Sequence, residues 1–126
     1  MEKKYELTAD VICHNGRILY RIRALRDFSD VKAGELGGYV QTEDNLSHEG
    51  DAWVYGDAKV YDDACVYENA CISGIAEVYN NAEVYNDAVV YDNAKVFGCV
   101  VVGGNACVNN NAKVYDDAEA LLKTRV

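Results

Sequence analysis

Small and branched apolar residues recur at a strict period of six over most of the chain. From Ala52 to Ala118 a small residue stands at every sixth position, with Val100 as the one exception. A branched residue follows two places later in each unit from Val54 to Val114, and Ala120 ends the row. Two inward positions separated by one outward position form a strand alternation, and six is not a helical period. The pattern predicts twelve short strands.

Turn-forming residues occupy the positions between these strands. Pairs such as Gly56-Asp57, Asn80-Asn81 and Asn110-Asn111 precede the small residues. Gly, Asn and Asp tolerate the left-handed backbone conformation that tight corners use. A chain of short strands and corners coils on itself, so the sequence predicts an all-β fold, a parallel β-helix. No loop is expected to project from the coil between residues 50 and 121.

The first third of the chain has a different pattern. Two alternating apolar runs flank Asn15-Gly16, a dipeptide typical of two-residue hairpin turns. We expect this β-hairpin to cap the first coil and cover its strand edge. The predicted organisation is a hairpin and capping segment at residues 1–37, a β-helix at residues 38–121 and a C-terminal tail at residues 122–126.

The residues just before the repeats carry a weaker form of the pattern. Val40 and Leu46 lie in phase with the alanine row, which predicts a looser rung before Gly50. His48 lies in phase with the valine row, so its side chain is expected to point into that rung. A hydrogen-bonded capping role is favoured for His48 over a catalytic one.

The hexads, as in "AKVYDD" and "AEVYNN", resemble the hexapeptide repeat of left-handed parallel β-helices. The resemblance covers residues 50–121 and implies three hexads per triangular coil, hence about four to five coils. The left hand comes from the resemblance alone, because ordinary parallel connections are right-handed. Residues 24–58 also resemble the first segment of hexapeptide-repeat proteins encoded by bacteriophages and prophages. More distantly, the chain is similar to the hexapeptide acyltransferase superfamily.

Grouping the outward residues at every eighteenth position gives three faces. Face one carries Trp53, Cys71, Val89 and Cys107, face two carries Lys59, Glu77, Lys95 and Lys113, and face three carries Cys65, Glu83, Val101 and Glu119. Face two is flanked by an aromatic ladder of Tyr61, Tyr79, Phe97 and Tyr115. Such a ladder either stabilises neighbouring strands or forms a subunit interface or a platform for stacking bases.

Face one has no charged residue, and large uncharged surfaces are seldom left in water. We expect Trp53 and its neighbours on this face to form an association surface between subunits. The resemblance implies a homotrimer. The alternative is that the chain's own N-terminal segment covers this face.

The charge balance narrows the range of partners. The chain has 21 acidic and 12 basic residues, a net charge of −9. This argues against a DNA or RNA polymer and against an anionic membrane, which would need a basic surface. The start of the chain has no apolar run, and its five cysteines show no metal-binding spacing. These features suit reduced thiols and a cytoplasmic location, which the phage resemblance places in the bacterial host.

Catalytic signatures are few. As the resemblance implies, hexapeptide acyltransferases use a histidine base and a projecting loop, whereas this chain has only His14 and His48 and no such loop. Two histidines cannot supply the three ligands of a catalytic zinc site. The sequence therefore predicts no enzyme, no cofactor and no metal.

The resemblance implies that the protein sequesters a small anionic nucleotide, an immune signal of the cyclic oligonucleotide or cyclic ADP-ribose type. The predicted ligand-binding residues combine cations for phosphates with rings for bases. They are Arg23, Arg26, His48, Trp53, Lys59, Tyr61, Tyr79 and Lys95. The alternative for the hairpin arginines is pairing with the acidic column. The alternative functions are an acyltransferase, active or degenerate, and a purely structural trimeric module.

Overall fold

A column of stacked two-residue strands forms most of the structure. The computed structural model describes residues 3–115 and the backbone of 119–120, so the predicted C-terminal tail lies outside the described residues. The strands are β1 Tyr5–His14, β2 Arg17–Ala24, β3 Leu36–Val40, β4 Trp53–Val54, β5 Lys59–Val60, β6 Cys65–Val66, β7 Cys71–Ile72, β8 Glu77–Val78, β9 Glu83–Val84, β10 Val89–Val90, β11 Lys95–Val96, β12 Val101–Val102, β13 Cys107–Val108, β14 Lys113–Val114 and β15 Glu119–Ala120. One 3-10 turn spans Glu43–Asn45. Over the described residues, no helix has the length and hydrophobicity needed to cross a membrane.

Three parallel sheets form the sides of the column. One contains β4, β7, β10 and β13, and a second contains β6, β9, β12 and β15. The third joins β5, β8, β11 and β14 to β1–β3 in a seven-stranded sheet. Paired residues are eighteen positions apart, as Trp53 is from Cys71 and Lys95 from Lys113. The predicted all-β fold, a parallel β-helix of about four coils, is confirmed.

The small and branched rows fill the interior. Every alanine from Ala52 to Ala106 in the row is fully buried, and so is Val100 in the alanine position. Main-chain hydrogen bonds join successive coils around this core. The N–H of Trp53 donates to the carbonyl of Ala70 at 3.1 Å, and that of Tyr55 to Ile72 at 2.7 Å. Each coil is therefore held by the narrow core inside and the next coil along the axis.

Several corners place non-glycine residues in the left-handed region, such as Asp62 and Asn80, both with φ of 60°. This conformation is strained by about 1–2 kcal/mol for an ordinary side chain. The corner side chains offset the strain by bonding to the next coil. Asp62 accepts from the N–H of Asn80 at 3.2 Å, and Asn80 accepts from the N–H of Gly98 at 3.1 Å.

The rung before Gly50 is present, but its phase differs from the prediction. Val40 pairs with Val60 and Leu46 with Val66, so both lie under the branched row rather than the alanine row. The separation is twenty residues instead of eighteen. A shift of two residues keeps a side chain on the same side of a strand, which explains why both side chains are still fully buried.

The N-terminal hairpin forms as predicted. β1 pairs antiparallel with β2, and Asn15 and Gly16 both have positive φ, as a two-residue hairpin turn requires. β2 pairs antiparallel with β3, which runs parallel to β5 of the first coil. The hairpin also folds over face two, where Leu19 packs against Tyr61.

Lys4 is fully buried where the hairpin meets the column. Its ammonium group donates to the carbonyls of Ala52 at 2.6 Å and Gly50 at 3.3 Å. Burial, together with the charge of Arg26, lowers the pKa of Lys4 to about 8. Lys4 therefore caps carbonyl groups at the start of the first coil.

The phase of the repeat can be tested with two neighbouring residues of β9. Val84→Asp places an unpaired charge in the core, where Val84 is fully buried, and should cost about 4 kcal/mol or more in free energy of unfolding. Glu83 points outward, so Glu83→Gln should change stability by less than about 0.5 kcal/mol. Denaturant unfolding measures both, and equal tolerance would contradict this phase.

Candidate functional site

Trp53 lies beneath the N-terminal segment and not on a free surface. Its side chain is 1% exposed, and its ring makes edge contacts with Tyr5 at 6.1 Å and Phe28 at 5.1 Å between centroids. Gly37 lies so close that a Cβ there would come within 2.7 Å of the indole. The expectation that Trp53 forms a subunit interface is wrong, because the chain's own cap covers the ring. The alternative prediction, that the N-terminal segment covers face one, is correct at the first coil.

His48 is a hydrogen-bonded residue of the cap. Its ring stacks on Tyr5 at 4.2 Å, Nδ1 accepts from the N–H of Lys4 at 3.1 Å, and Nε2 lies 2.8 Å from Oε1 of Glu43. The hydrogen bond with His48 holds the pKa of Glu43 below its usual range. Arg26 donates to the His48 carbonyl at 3.1 Å. Both nitrogens of the His48 ring therefore have partners within the protein.

Most hairpin arginines are paired with carboxylates. These pairs are Arg17 with Asp62, Arg21 with Asp10 and Asp57, and Arg23 with Glu6. Arg17 and Arg21 thus follow the alternative of pairing with the acidic column, whereas Arg23 pairs within the hairpin. An anionic ligand at Arg23 would compete with Glu6, although the Arg23 side chain is 48% exposed.

The aromatic ladder of face two is a continuous stack of rings. Centroids of successive rings from Tyr61 to Tyr115 lie 5.1, 5.1 and 5.2 Å apart, and the planes are within 5° of parallel. Because each inner ring is stacked on both sides, a base has no room to insert, and the ring edges face outward. Tyr61 is 1% exposed beneath the hairpin, so its predicted role in stacking a ligand is wrong. The ladder stabilises neighbouring strands.

A polar cluster joins the hairpin tip to the second coil. Nε2 of His14 lies 2.9 Å from Oε1 of Glu77, and the Tyr61 hydroxyl donates to the same oxygen at 2.8 Å. The side-chain amide of Asn15 donates to Tyr61 at 3.2 Å, and the Lys95 ammonium lies 3.7 Å from Glu77. The sequence did not predict this cluster, since His14 and Glu77 are 63 positions apart. The one feature of the sequence that could have indicated this cluster is Glu77, which is the single acidic residue among the three lysines of face two.

The cluster keeps Glu77 ionised. Burial raises the pKa of Glu77, but hydrogen bonds from His14 and Tyr61 and the charge of Lys95 outweigh it and hold the pKa below its usual range. Burial and the bond to Glu77 raise the pKa of Tyr61 well above its usual range. A histidine–carboxylate pair can act as a general base, and here it also fastens the hairpin to the column.

Within the described residues, nothing covers face two beyond the hairpin tip, toward the later coils. Lys59, near the hairpin, donates to the carbonyl of Asp57 at 3.1 Å and lies 6.0 Å from the Tyr39 ring centroid. Lys95 and Lys113 are directly paired on β11 and β14. Tyr79 is half-buried and Tyr115 is 46% exposed. Of the residues predicted to bind ligand, Lys95 and Tyr79 therefore border an accessible surface.

A further concavity lies elsewhere, at the corner between faces two and three. It has a volume of about 770 Å³, and carboxylates, amides and small residues line it, among them Asp44, Asp62 and Asp63. None of its described lining residues is a lysine or arginine, so it does not suit an anion. Within residues 3–115 no cluster of His, Cys, Asp and Glu is arranged to hold a metal ion.

The cluster predicts a pH dependence of stability. Above the ordinary glutamate pKa of 4.5, Glu77→Gln should cost about 1.5–3 kcal/mol, because it removes charge-assisted hydrogen bonds. The difference from wild type should shrink as the pH falls through the lower pKa of folded Glu77, where wild type also loses the charge. Unfolding in denaturant at pH 7 and pH 3 measures it, with exposed Glu49→Gln as control. An equal difference at both pH values would contradict the assignment.

Comparison with known proteins gives one short similarity. Over 38 residues the chain is 45% identical to YdcK of Escherichia coli K12, named an uncharacterized acetyltransferase. The match spans 30% of this chain and 12% of that protein, so the chain corresponds to a small part of that relative's length. No family model matches the chain. The fold and this similarity together fit a hexapeptide-repeat β-helix.

Proposed function

We propose that the protein is a non-catalytic binding module that sequesters a small anionic nucleotide on the open part of face two. The observation that carries this proposal is the direct pairing of Lys95 with Lys113 on adjacent parallel strands. Like charges opposed across a ladder are destabilising. An anion bound between the two ammonium groups removes that repulsion, in a chain whose net charge is −9.

The rings beside the lysines favour the same class of ligand. Aromatic edges carry the positive part of the ring quadrupole, so the outward edges of Phe97 and Tyr115 attract a phosphate. Tyr115, the most exposed ring of the ladder, offers a surface on which a base can lie. Lys113, Phe97 and Tyr115 are thereby added to the residues predicted from the sequence.

Assembly and biological setting are part of the proposal. A homotrimer agrees with the rest of face one, where Cys71, Val89 and Cys107 are half-buried and uncharged in the single chain. Subunit grooves would then bring cap residues such as Arg23 and Arg26 toward a ligand. The resemblance of residues 24–58 to phage and prophage proteins supports sequestration of an immune signal in the bacterial cytoplasm, which blocks anti-phage signalling.

Lysine substitutions test the site. Lys113→Ala should weaken nucleotide binding about ten- to a hundredfold, because a charge-assisted contact contributes about 1.5–3 kcal/mol. Lys32→Ala, an exposed lysine of the cap, is the matched control and should bind like wild type. Titration calorimetry at low salt with cyclic dinucleotides, a cyclic trinucleotide and cyclic ADP-ribose measures affinity. Mass spectrometry after heating should recover the ligand unaltered.

Two outcomes would contradict the proposal. One is an absence of binding to every nucleotide in the panel, which would leave the acyltransferase and the structural trimeric module as the remaining candidates. The other is an equal loss of affinity in Lys113→Ala and Lys32→Ala, which would indicate nonspecific charge attraction rather than a site.

An acyltransferase is the second candidate. The His14–Glu77 pair and the similarity to a protein named an acetyltransferase favour it. Incubation with acetyl-coenzyme A and a panel of amine and hydroxyl acceptors would then give acylated product, and His14→Asn would abolish turnover. Absence of coenzyme A binding in a thermal-shift measurement would exclude this candidate.

A further inference from the structure

The outer side of the hairpin carries an apolar patch that no described part of the chain covers. Val11 pairs with Tyr20, and Cys13 pairs with Ile18, so the four side chains are neighbours on one side of β1 and β2. Val11 is 46% and Ile18 is 48% exposed. Cys13 is an exposed free thiol, and Tyr20 is half-buried. We call these four residues the hairpin patch.

The opposite side of the same hairpin is also apolar. Ile12 and Leu19, which pair with each other between the residues of the patch, pack with Tyr39 and Tyr61 on face two. An antiparallel pair of strands with one side in water normally alternates apolar and polar residues, whereas strands covered on both sides are apolar throughout. Residues 11–13 and 18–20 of this hairpin therefore have the composition of strands covered on both sides.

The distribution of charge indicates which partner binds the hairpin patch. Asp10, the acid next to the hairpin patch, is neutralised by Arg21, and Glu6, further along β1, is neutralised by Arg23. Residues 1–36 carry seven bases and six acids, whereas residues 37–126 carry five bases and fifteen acids. Two copies of the chain therefore repel one another through the acidic parts of their columns, which exclude the uncharged face one, but not through their hairpins. A hairpin-to-hairpin contact holds the acidic columns apart.

We propose that the hairpin patch binds the hairpin patch of a second copy of this chain about a twofold axis. A twofold contact sets the same surface against itself, and an apolar patch with neutralised borders is complementary to its own copy. β1 lies at the outer edge of the seven-stranded sheet, so a neighbouring copy has access to it. The proposed axis passes beside Cys13, so that Cys13 of one copy faces Cys13 of the other. This contact is separate from face one and does not rest on nucleotide binding.

The mass of the intact protein as a function of concentration tests this contact. In sedimentation velocity, the mass of the wild-type species should rise with protein concentration. The larger species should have twice the mass of the smallest one. Ile18→Asp should weaken this association by about tenfold or more, as loss of a central apolar contact does. Ile75→Asp is the matched control, since Ile75 is 56% exposed at a corner of the column, and it should associate like wild type. Thermal unfolding checks that both variants fold.

Cross-linking gives a second readout. In a Cys99→Ser background, which removes the other exposed thiol, diamide should oxidise two Cys13 thiols to one disulfide between chains. The product should be reducible and absent from Cys13→Ser. A wild-type mass that does not change with concentration would overturn the proposal, as would equal association of wild type and Ile18→Asp. Failure of Cys13 to cross-link while the mass doubles would also overturn it, because the proposed axis passes beside Cys13 and brings the two thiols together.

Discussion

The main-chain hydrogen bonds between successive coils are the constraint on which the rest of the structure depends. They join each outward position to the one eighteen residues later, as Trp53 is joined to Cys71. From Trp53 onward every coil must therefore have the same length. Each outward position must also hold side chains that can stack on one another from coil to coil. Alanines stack over alanines inside, rings stack over rings outside, and corner amides bond to corner amides. A coil buries too little apolar surface to offset its own ordering, so stability accumulates from coil to coil.

The column could be predicted from the sequence because its period is local. A repeat of six reports which side of each strand faces the core, and the structure confirms that assignment from Ala52 to Val108. The covering of Trp53 could not be predicted in the same way. An outward residue can face water or another segment, and the pattern of the repeat is the same in both cases. The two-residue shift of Val40 and Leu46 could not be predicted for a related reason, because both side chains point into the core with or without the shift.

The polar contacts of the cap could not be predicted from the sequence pattern, because they join residues that are far apart in the chain. Lys4 is buried because its ammonium group satisfies carbonyls that become its neighbours only after folding. His14 meets Glu77 because the hairpin folds back over face two. That folding divides face two into a covered part near Tyr61 and an open part near Lys113. The candidate site therefore depends on where the hairpin ends as much as on the residues of the ladder.

The eighteen-residue coil also limits how such a chain can change its length during evolution. Loss or gain of one hexad would leave every alanine and valine pointing inward, so the core would tolerate it. All later outward residues, however, would move to the next side of the column. Lys113 would leave Lys95, and Tyr115 would leave Phe97. Duplication or deletion of a whole coil avoids this rotation. The core therefore tolerates insertions or deletions of six residues, whereas the side-chain stacks on the surface are preserved only when the change is eighteen residues.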